Sequence, residues 1–244
     1  MPPVTLNLLI LNVLIWALSA LIPSLDATLT KFCALHYFTS DYFNAGQIVS
    51  YMFLHANFMH LFFNMFTLVM FGGIIERAME SKRFLFYYLT CGIVAALVQE
   101  GVWAMMMHGE QQRYITAIVD NFATSYGVSF SEAIHNVPAD TLAMLRAQVA
   151  NAYITVGASG AIYGILLAFA MLFPNQPMYL MFIPVPVKAK WMVLGFFLIE
   201  LFFGIGNNPA DNVAHFAHLG GMIGGVFLIL YWKKKGLFNN RWFF

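Results

Sequence analysis

The sequence predicts an all-α membrane protein, a bundle of six transmembrane helices with both termini on the cytoplasmic side. Three observations predict this fold class. Of the 244 residues, 61% are hydrophobic and only 9% carry a charge, which lies far outside the composition of soluble globular domains. Six apolar runs approach the roughly 20 residues that cross a bilayer, and the cations cluster on one side of these runs.

The six runs cover residues of about 6–23, 51–73, 84–106, 152–173, 190–206 and 213–232. The first run is expected to be a retained helix rather than a signal peptide, because residues 1–5 contain no Lys or Arg. Six spans place both termini on the same side of the membrane. Nine of the 12 Lys and Arg residues follow spans two, four or six. Cations in short loops are retained in the cytoplasm, so this pattern predicts cytoplasmic termini.

A hydrophilic stretch at about 107–151 separates spans three and four. It predicts an extracytoplasmic insertion with two short helices, near residues 131–134 and 140–145, that lie on the outer surface. No internal repeat or linker divides the sequence, so residues 1–244 are expected to form a single membrane domain. The formal net charge of +1 offers no basic surface for nucleic acid, and the composition indicates membrane lipid as a partner.

Polar side chains within the spans mark the candidate site, because they are costly to bury in hydrocarbon and tend to face the interior of a bundle. They are His55, His60 and Asn64 on span two, Ser159 on span four, and His215 and His218 on span six. These three helices run in the same direction, and His60, Ser159 and His218 each lie about seven residues below the predicted helix starts. The sequence therefore predicts one site in a common layer, open toward the outer face.

Glycine spacing indicates which helices touch. Gly160 and Gly164 on span four, and residues 220–225 on span six, have the small-xxx-small spacing that lets helices approach closely in lipid. Close packing would bring the hydroxyl of Ser159 within about 3 Å of a nitrogen of His218, the contact by which a general base activates a weak nucleophile. Ser159 and His218 are the candidate catalytic pair.

A second pair of polar residues could form an oxyanion hole. His60 and Asn64 are four residues apart and share one helix face. Both can donate hydrogen bonds to a carbonyl oxygen as it becomes negative. The backbone N–H groups near Ser159, close to the start of its helix, favour the same anion.

Three motifs in this layer carry a resemblance to a known family. They are Gly157-Ala158-Ser159-Gly160 with Tyr163 and Gly164, His218 with Gly221 and Gly225, and the spacing of His55, His60 and Asn64. Together they resemble the signatures of the rhomboid family of intramembrane serine proteases, over a stretch of about 45–232. One departure lies in the first loop, where many members carry a Trp-Arg pair and this sequence reads Asn44-Ala45-Gly46-Gln47.

The resemblance implies a Ser–His dyad with no aspartate, in which Ser159 is the nucleophile and His218 is the general base and later the general acid. Tyr163 is implied to pack against the ring of His218. The motif glycines, Gly157, Gly160, Gly221 and Gly225, are implied to support the site.

Further implications concern the remaining motif residues and the substrate. His60 and Asn64 are implied to join the N–H of Ser159 in the oxyanion hole, and His55 is implied to support the first loop. The substrates implied are transmembrane proteins that enter beside span five, and no cofactor is implied. The expected location is a bacterial inner membrane, in which the protein is integral and multi-pass.

Three other hypotheses stay open at this stage. A rhomboid-like protein that binds membrane proteins without cutting them would be expected to lack the Ser or the His, and this sequence has both. A channel or transporter could use Glu100 and Glu200 as a proton path, although structural partners or positions near the outer interface are the favoured explanation of these acids. The histidines of spans two and six could bind a metal, but no carboxylate accompanies them and no H-E-x-x-H motif occurs, so no metal site is expected.

Overall fold

The computed structural model describes residues 1–179, 185–206 and 213–238, and helices dominate this part of the chain. The helices are α1 (Pro3–Leu21), α2 (Pro23–Cys33), α3 (Gln47–Ser50), α4 (Phe58–Thr67), α5 (Gly73–Met79), α6 (Ser81–Tyr126), α7 (Phe130–His135), α8 (Ala139–Ala152), α9 (Ser159–Leu172), α10 (Ala189–Gly206) and α11 (His215–Lys234). A 3₁₀ turn (Tyr51–Phe53) precedes α4, and a π-helical turn (Leu68–Gly72) joins α4 to α5. Two short antiparallel pairs complete these elements: β1 (Leu35–His36) with β2 (Ile154–Thr155), and β3 (Pro177–Tyr179) with β4 (Pro186–Lys188).

Five helical segments of the described chain are long and apolar enough to cross a membrane. They are α1, the continuous run Phe58–Met79 formed by α4 and α5, and then α6, α10 and α11. Helix α9 is also apolar but has 14 residues, about 21 Å at 1.5 Å per residue, which is shorter than the roughly 30 Å of a hydrocarbon core. The protein is a helical membrane protein.

The starts of spans two and four, predicted at about 51 and 152, are wrong by about two turns. Span two begins at Phe58, because the side chain of Asn57 accepts a hydrogen bond from the backbone N–H of His60 at 2.8 Å and caps the helix there. Span four begins at Ser159, since residues 154–155 are extended and pair with β1. Both helices therefore start about seven residues later in the sequence than hydropathy alone indicates.

The helix of span three continues far beyond the predicted end near residue 106. Helix α6 has 46 residues and is about 69 Å long, more than twice the thickness of a hydrocarbon core. No proline interrupts it, and it ends where Gly127 adopts a left-handed conformation with φ of 65°. The predicted insertion at about 107–151 is thus a helical extension of α6 followed by the two short helices α7 and α8.

Helices α7 and α8 pack on this extension through a small apolar cluster of their own. The buried side chains of this cluster are Ile115, Val119, Ala123, Ala133 and Leu145. Two short helices are therefore present, as predicted, but they lie against α6 and form a helical unit with it.

Helices α9 and α11 pack closely, as the glycine spacing predicts. A side chain added to Gly221 of α11 would overlap the backbone carbonyl of Gly160 in α9. A side chain added to Gly164 would lie 2.5 Å from the sulfur of Cys91 in α6. Because these positions have no side chains, the backbones of α9, α11 and α6 can pack closely. This close packing also determines how near the side chains of α9 lie to those of α11.

The first loop is anchored by amides where the sequence departs from the family pattern. The side chain of Gln47 is fully buried; its NH₂ group donates to the carbonyl of Tyr42 at 2.8 Å, and its carbonyl accepts from the N–H of His36 at 3.2 Å. Asn44 donates to the carbonyl of Phe32 at 3.0 Å. These hydrogen bonds fix the loop between α2 and α3, together with the carboxylate of Glu100, which accepts from the N–H of Phe38 at 3.0 Å.

Candidate active site

Three helix N-termini meet in one layer of the bundle. His60 is the third residue of α4, Ser159 is the first residue of α9, and His218 is the fourth residue of α11. The predicted depth of about seven residues is wrong, because α4, α9 and α11 all start later than their apolar runs. The layer remains common to the three residues, and each lies within the first turn of its helix.

Ser159 and His218 are in hydrogen-bond contact. The Oγ atom of Ser159 lies 2.7 Å from Nε2 of His218, and the imidazole is buried. The ring of Tyr163 stacks on that of His218, with 4.3 Å between ring centroids and 7° between the ring planes. This stacking fixes the plane of the imidazole and directs its Nε2 toward the hydroxyl.

A buried carboxylate, Glu200 of α10, approaches the opposite side of the same imidazole. One oxygen, Oε2, lies 3.0 Å from Nδ1 of His218 and 2.6 Å from Nδ1 of His215. The other oxygen, Oε1, accepts a hydrogen bond from the hydroxyl of Tyr163. The contact with His218 has the distance of an ion pair without the alignment of an ideal hydrogen bond.

The expectation that no carboxylate accompanies the histidines is therefore wrong. Glu200, His215 and His218 place one potential ligand atom each within 4.8 Å of one another. The sequence places Glu200 on a different span, and only the rotation of α10 about its axis decides that this side chain points into the site. The sequence identifies Glu200 as an intramembrane acid, and the structure adds its partners Tyr163, His215 and His218.

The close approach of Gly157 brings His60 to the serine. Gly157 has φ of 131°, a conformation that favours glycine, and a side chain there would lie 2.7 Å from Nε2 of His60 and 3.7 Å from Oγ of Ser159. The imidazole edge and the hydroxyl therefore border the same small space.

Asn64 lies one turn further along α4 and brings a second donor. It is 5% exposed, and its Nδ2 has no hydrogen-bond partner among the described residues. A buried amide donor without a partner is costly, and it is available to an acceptor that enters the site. His60 and Asn64 can thus both present N–H groups to a bound carbonyl oxygen.

His55 lies behind His60, outside the membrane-spanning segment that begins at Phe58. The two rings meet edge to face, with 5.1 Å between their centroids, and neither nitrogen of His55 has a hydrogen-bond partner among the described residues. Burial, with a smaller effect of His60, lowers the pKa of His55 to about 3, so its imidazole is neutral at physiological pH. It packs against His60 without contacting the serine.

A cavity of about 930 Å³ borders this layer. His55 and His60 line one side of it, and the start of α11 at His215 and the end of α10 at Phe203 line another. Its wall also includes Arg113 on the extension of α6, together with acidic and apolar residues. The cavity has the volume of an organic ligand site and gives the polar layer access from the end of the bundle at which α4, α9 and α11 begin.

The structure brings most of the predicted residues together. His218, Gly157 and His60 lie beside the hydroxyl of Ser159, and Tyr163 stacks on the ring of His218. Asn64 lies one turn beyond His60 on α4. Gly160 and Gly221 form the helix contact beside them. Gly225 lies further along α11, where a side chain would overlap the hydroxyl of Tyr87, so it contributes to packing away from the serine.

The sequence of this chain is similar to those of known proteins. A family described as Rhomboid domain matches residues 43–235, which agrees with the range expected from the motifs. The Bacillus subtilis (strain 168) protein named "Putative rhomboid protease YdcA" is 24% identical over 184 residues, which cover 75% of this chain. The chain spans 64% of the length of that relative. Because the family match covers most of its length, this membrane protein belongs to the rhomboid family.

Proposed function

We propose that this protein is an intramembrane serine endopeptidase that cleaves transmembrane segments of membrane proteins. The observation that carries the proposal is the 2.7 Å contact between Oγ of Ser159 and Nε2 of His218. A serine hydroxyl is a weak nucleophile, and a hydrogen-bonded imidazole at this distance is the arrangement that activates it. Family membership supports the same reaction class, since rhomboid proteins are generally intramembrane serine proteases.

In the proposed reaction, Ser159 attacks the carbonyl carbon of the scissile peptide bond while Nε2 of His218 accepts the hydroxyl proton. The tetrahedral intermediate then collapses, the C–N bond breaks, and His218 returns the proton to the leaving amine. Water attacks the resulting acyl-enzyme, with His218 again as the base, and releases the second product. Stacking against Tyr163 keeps the imidazole in place during both proton transfers.

The negative oxygen of each tetrahedral intermediate would lie among three sources of N–H groups. They are the side chains of His60 and Asn64 and the backbone at Ser159, the first residue of α9. The first N–H groups of a helix have no intrahelical acceptor, and they carry the positive end of the helix dipole. These donors are fixed before the reaction, which is the property that makes an oxyanion hole effective.

The proposal includes a topology of six spans with both termini in the cytoplasm. Glu76, at the end of span two, accepts hydrogen bonds from the N–H groups of Val4 and Thr5 at 2.9 and 2.7 Å. The start of α1 thus lies beside the cation-rich loop that follows Glu76. Lys233, near the end of α11, donates to the carbonyl of Met171 at the end of α9. These contacts support two termini at the same, cation-rich end of the bundle.

The remaining parts of the proposal follow from this topology. The short α9 serves as span four and completes the six spans, packed against both α6 and α11. Residues 1–244 form a single membrane domain, and the unit made by the extension of α6 with α7 and α8 is extracytoplasmic. The proposed location is a bacterial inner membrane, where the protein meets its transmembrane substrates and lipid.

The test is labelling and cleavage by the purified protein in detergent. Wild type is incubated with a fluorophosphonate probe, and separately with a labelled single-span model substrate. We expect wild type to be labelled and to cleave, whereas Ser159→Ala and His218→Ala lose both activities and retain the thermal unfolding midpoint to within a few degrees. A matched control is Ser125→Ala, because Ser125 lies on the α6 extension and its hydroxyl bonds only within its own helix.

Two outcomes would overturn the proposal. Cleavage by the Ser159→Ala protein at the wild-type rate would remove the serine from the reaction. A folded wild type that neither reacts with the probe nor cleaves a panel of single-span substrates would favour the alternative, a rhomboid-like protein that binds membrane proteins without cutting them.

A further inference from the structure

We propose that Glu200 is a positioning residue for His218, so that the site acts as a chain of three groups in the order Ser159, His218, Glu200. This inference rests on the proposed proteolytic function. It differs from the dyad that the motifs imply, because it assigns a function to a carboxylate on α10, outside all three motifs.

The first argument is that a polar group faces each nitrogen of His218, the hydroxyl of Ser159 at hydrogen-bond distance and the carboxylate of Glu200 at ion-pair distance. Nε2 lies 2.7 Å from the hydroxyl of Ser159, and Nδ1 lies 3.0 Å from Oε2 of Glu200. A neutral imidazole carries its proton on one nitrogen only, and the hydrogen-bond partners of the two nitrogens determine which nitrogen that is. A carboxylate beside Nδ1 retains the proton there, and this leaves the lone pair of Nε2 directed at the serine.

The second argument is charge. When His218 accepts the proton of Ser159 it becomes an imidazolium in a buried site, where an uncompensated charge is costly. Glu200 is 5% exposed and lies at ion-pair distance from that ring. The carboxylate therefore stabilises the charged form of His218 at the stage of the reaction when it appears.

The third argument is that Glu200 is itself held in position. Its oxygens contact donors on both neighbouring helices, the hydroxyl of Tyr163 on α9 and Nδ1 of His215 on α11. Tyr163 also stacks on His218, so the residue that fixes the plane of the imidazole also fixes its acidic neighbour. A carboxylate with this many donors keeps one position and can orient another side chain.

Two other functions of the same cluster would produce different results in a test. Glu200 could serve only to hold α10 against α9 and α11. Alternatively, Glu200, His215 and His218 could bind a divalent metal through the three ligand atoms that lie within 4.8 Å of one another. The observed contacts of 2.6 and 3.0 Å are those of direct hydrogen bonds and ion pairs, which favours the positioning function.

The test compares Glu200→Gln with Glu200→Asp in the full-length protein. Gln has the shape of Glu, but its NH₂ group donates to Nδ1 and favours the tautomer that carries its proton on Nε2, which cannot accept from Ser159. In a serine protease the corresponding acid-to-amide change costs about 10⁴-fold in kcat. Because Tyr163 already orients the ring here, we expect Glu200→Gln to lower kcat by at least about 100-fold and to leave KM within about threefold.

Three further measurements separate positioning from structure. Glu200→Asp restores the charge and is expected to recover part of the lost kcat. The rate of fluorophosphonate labelling, which needs no transmembrane substrate, should fall together with kcat in the Gln variant. Glu100→Gln is the matched control, since the carboxylate of Glu100 lies on α6 and accepts from the N–H of Phe38, and its kcat should equal that of wild type.

Each contrary outcome overturns the inference in a distinct way. Wild-type kcat and labelling in Glu200→Gln would do so directly. Equal losses in the Gln and Asp variants, matched by a lower unfolding midpoint in both, would assign Glu200 to helix packing. Inhibition of wild type by micromolar zinc, reversed by a chelator and lost in Glu200→Gln, would assign a metal site. If wild type is silent like Ser159→Ala, the proposed function fails and the inference fails with it.

Discussion

Replacement of Asn64 by leucine should make the protein more stable and less active. Asn64 is 5% exposed, and its Nδ2 has no hydrogen-bond partner among the described residues. A buried donor without a partner costs about 1–3 kcal/mol, and leucine has nearly the same shape without the donor. We expect Asn64→Leu to raise the unfolding midpoint in detergent, by about 2–4 °C for each kcal/mol gained.

The same substitution should remove a transition-state interaction. Loss of one oxyanion donor typically lowers kcat by about 10²- to 10³-fold, which corresponds to about 2.7–4 kcal/mol. In the proposed oxyanion hole the amide of Asn64 would donate most strongly when the substrate oxygen is negative, so we expect KM to change little. Stability and turnover are thus expected to move in opposite directions.

The assay measures kcat and KM with a labelled single-span substrate, together with the thermal unfolding midpoint of each variant. Asn12→Leu is the matched control, because Asn12 is also buried but its Nδ2 already donates to the carbonyl of Leu8 at 2.7 Å, whereas its Oδ1 has no partner among the described residues. The control should retain the wild-type kcat and gain less stability than Asn64→Leu, because it also loses that hydrogen bond. Wild-type kcat in Asn64→Leu would refute the oxyanion assignment, and a lower midpoint with lower kcat would point to a structural amide instead.

Two more predictions concern helix packing and topology. Gly221→Ala places a methyl group on the carbonyl of Gly160, and we expect overpacking to cost about 1–3 kcal/mol and to lower both kcat and probe labelling; Gly101→Ala, which meets nothing within 4 Å, should behave like wild type. Equal midpoints and rates for both alanine variants would contradict this packing. For the topology, tags at the two termini should resist external protease in intact cells, and digestion of both would invert the proposed orientation.

Hydropathy and charge predict the helices of this protein but not where they begin. Hydropathy cannot locate the start of a helix within an apolar run, because the residues before the first helical hydrogen bond are as apolar as those after it. The start of α4 depends on one side-chain cap from Asn57, and that of α9 follows an extended segment that ends at Gly157. Both signals are present in the sequence, since Asn before a helix and Gly before a serine motif are boundary residues. The predicted starts instead follow the roughly 20 apolar residues that a helix needs to cross a bilayer.

The length of α6 differs from the prediction for the opposite reason. Polarity rises after residue 106, which predicts the end of a span, but Glu, Gln and Arg are good helix formers in water and the helix continues. The chain contains no proline between Pro23 and Pro138, and Gly127 is the residue that ends the helix. The surroundings of α6 change along its length, but its backbone hydrogen bonds continue without a break from Ser81 to Tyr126.

The position of Glu200 could have been predicted by the depth argument that grouped Ser159 with His218. Helix α10 runs opposite to α11, so depth on it is counted from its end. In the predicted spans, Glu200 lies six residues before the end of span five and His218 five residues after the start of span six. The two therefore share a level to within about 1.5 Å along the helix axes. The predicted spans four and six contain no Lys or Arg to pair with a carboxylate, and the side-chain donors near that level are imidazole and hydroxyl groups. The shared depth and the cost of burying a charge together favour His218 as the partner of Glu200. The contact between Oε2 of Glu200 and Nδ1 of His218 also depends on the rotation of α10 about its axis, which the structure provides.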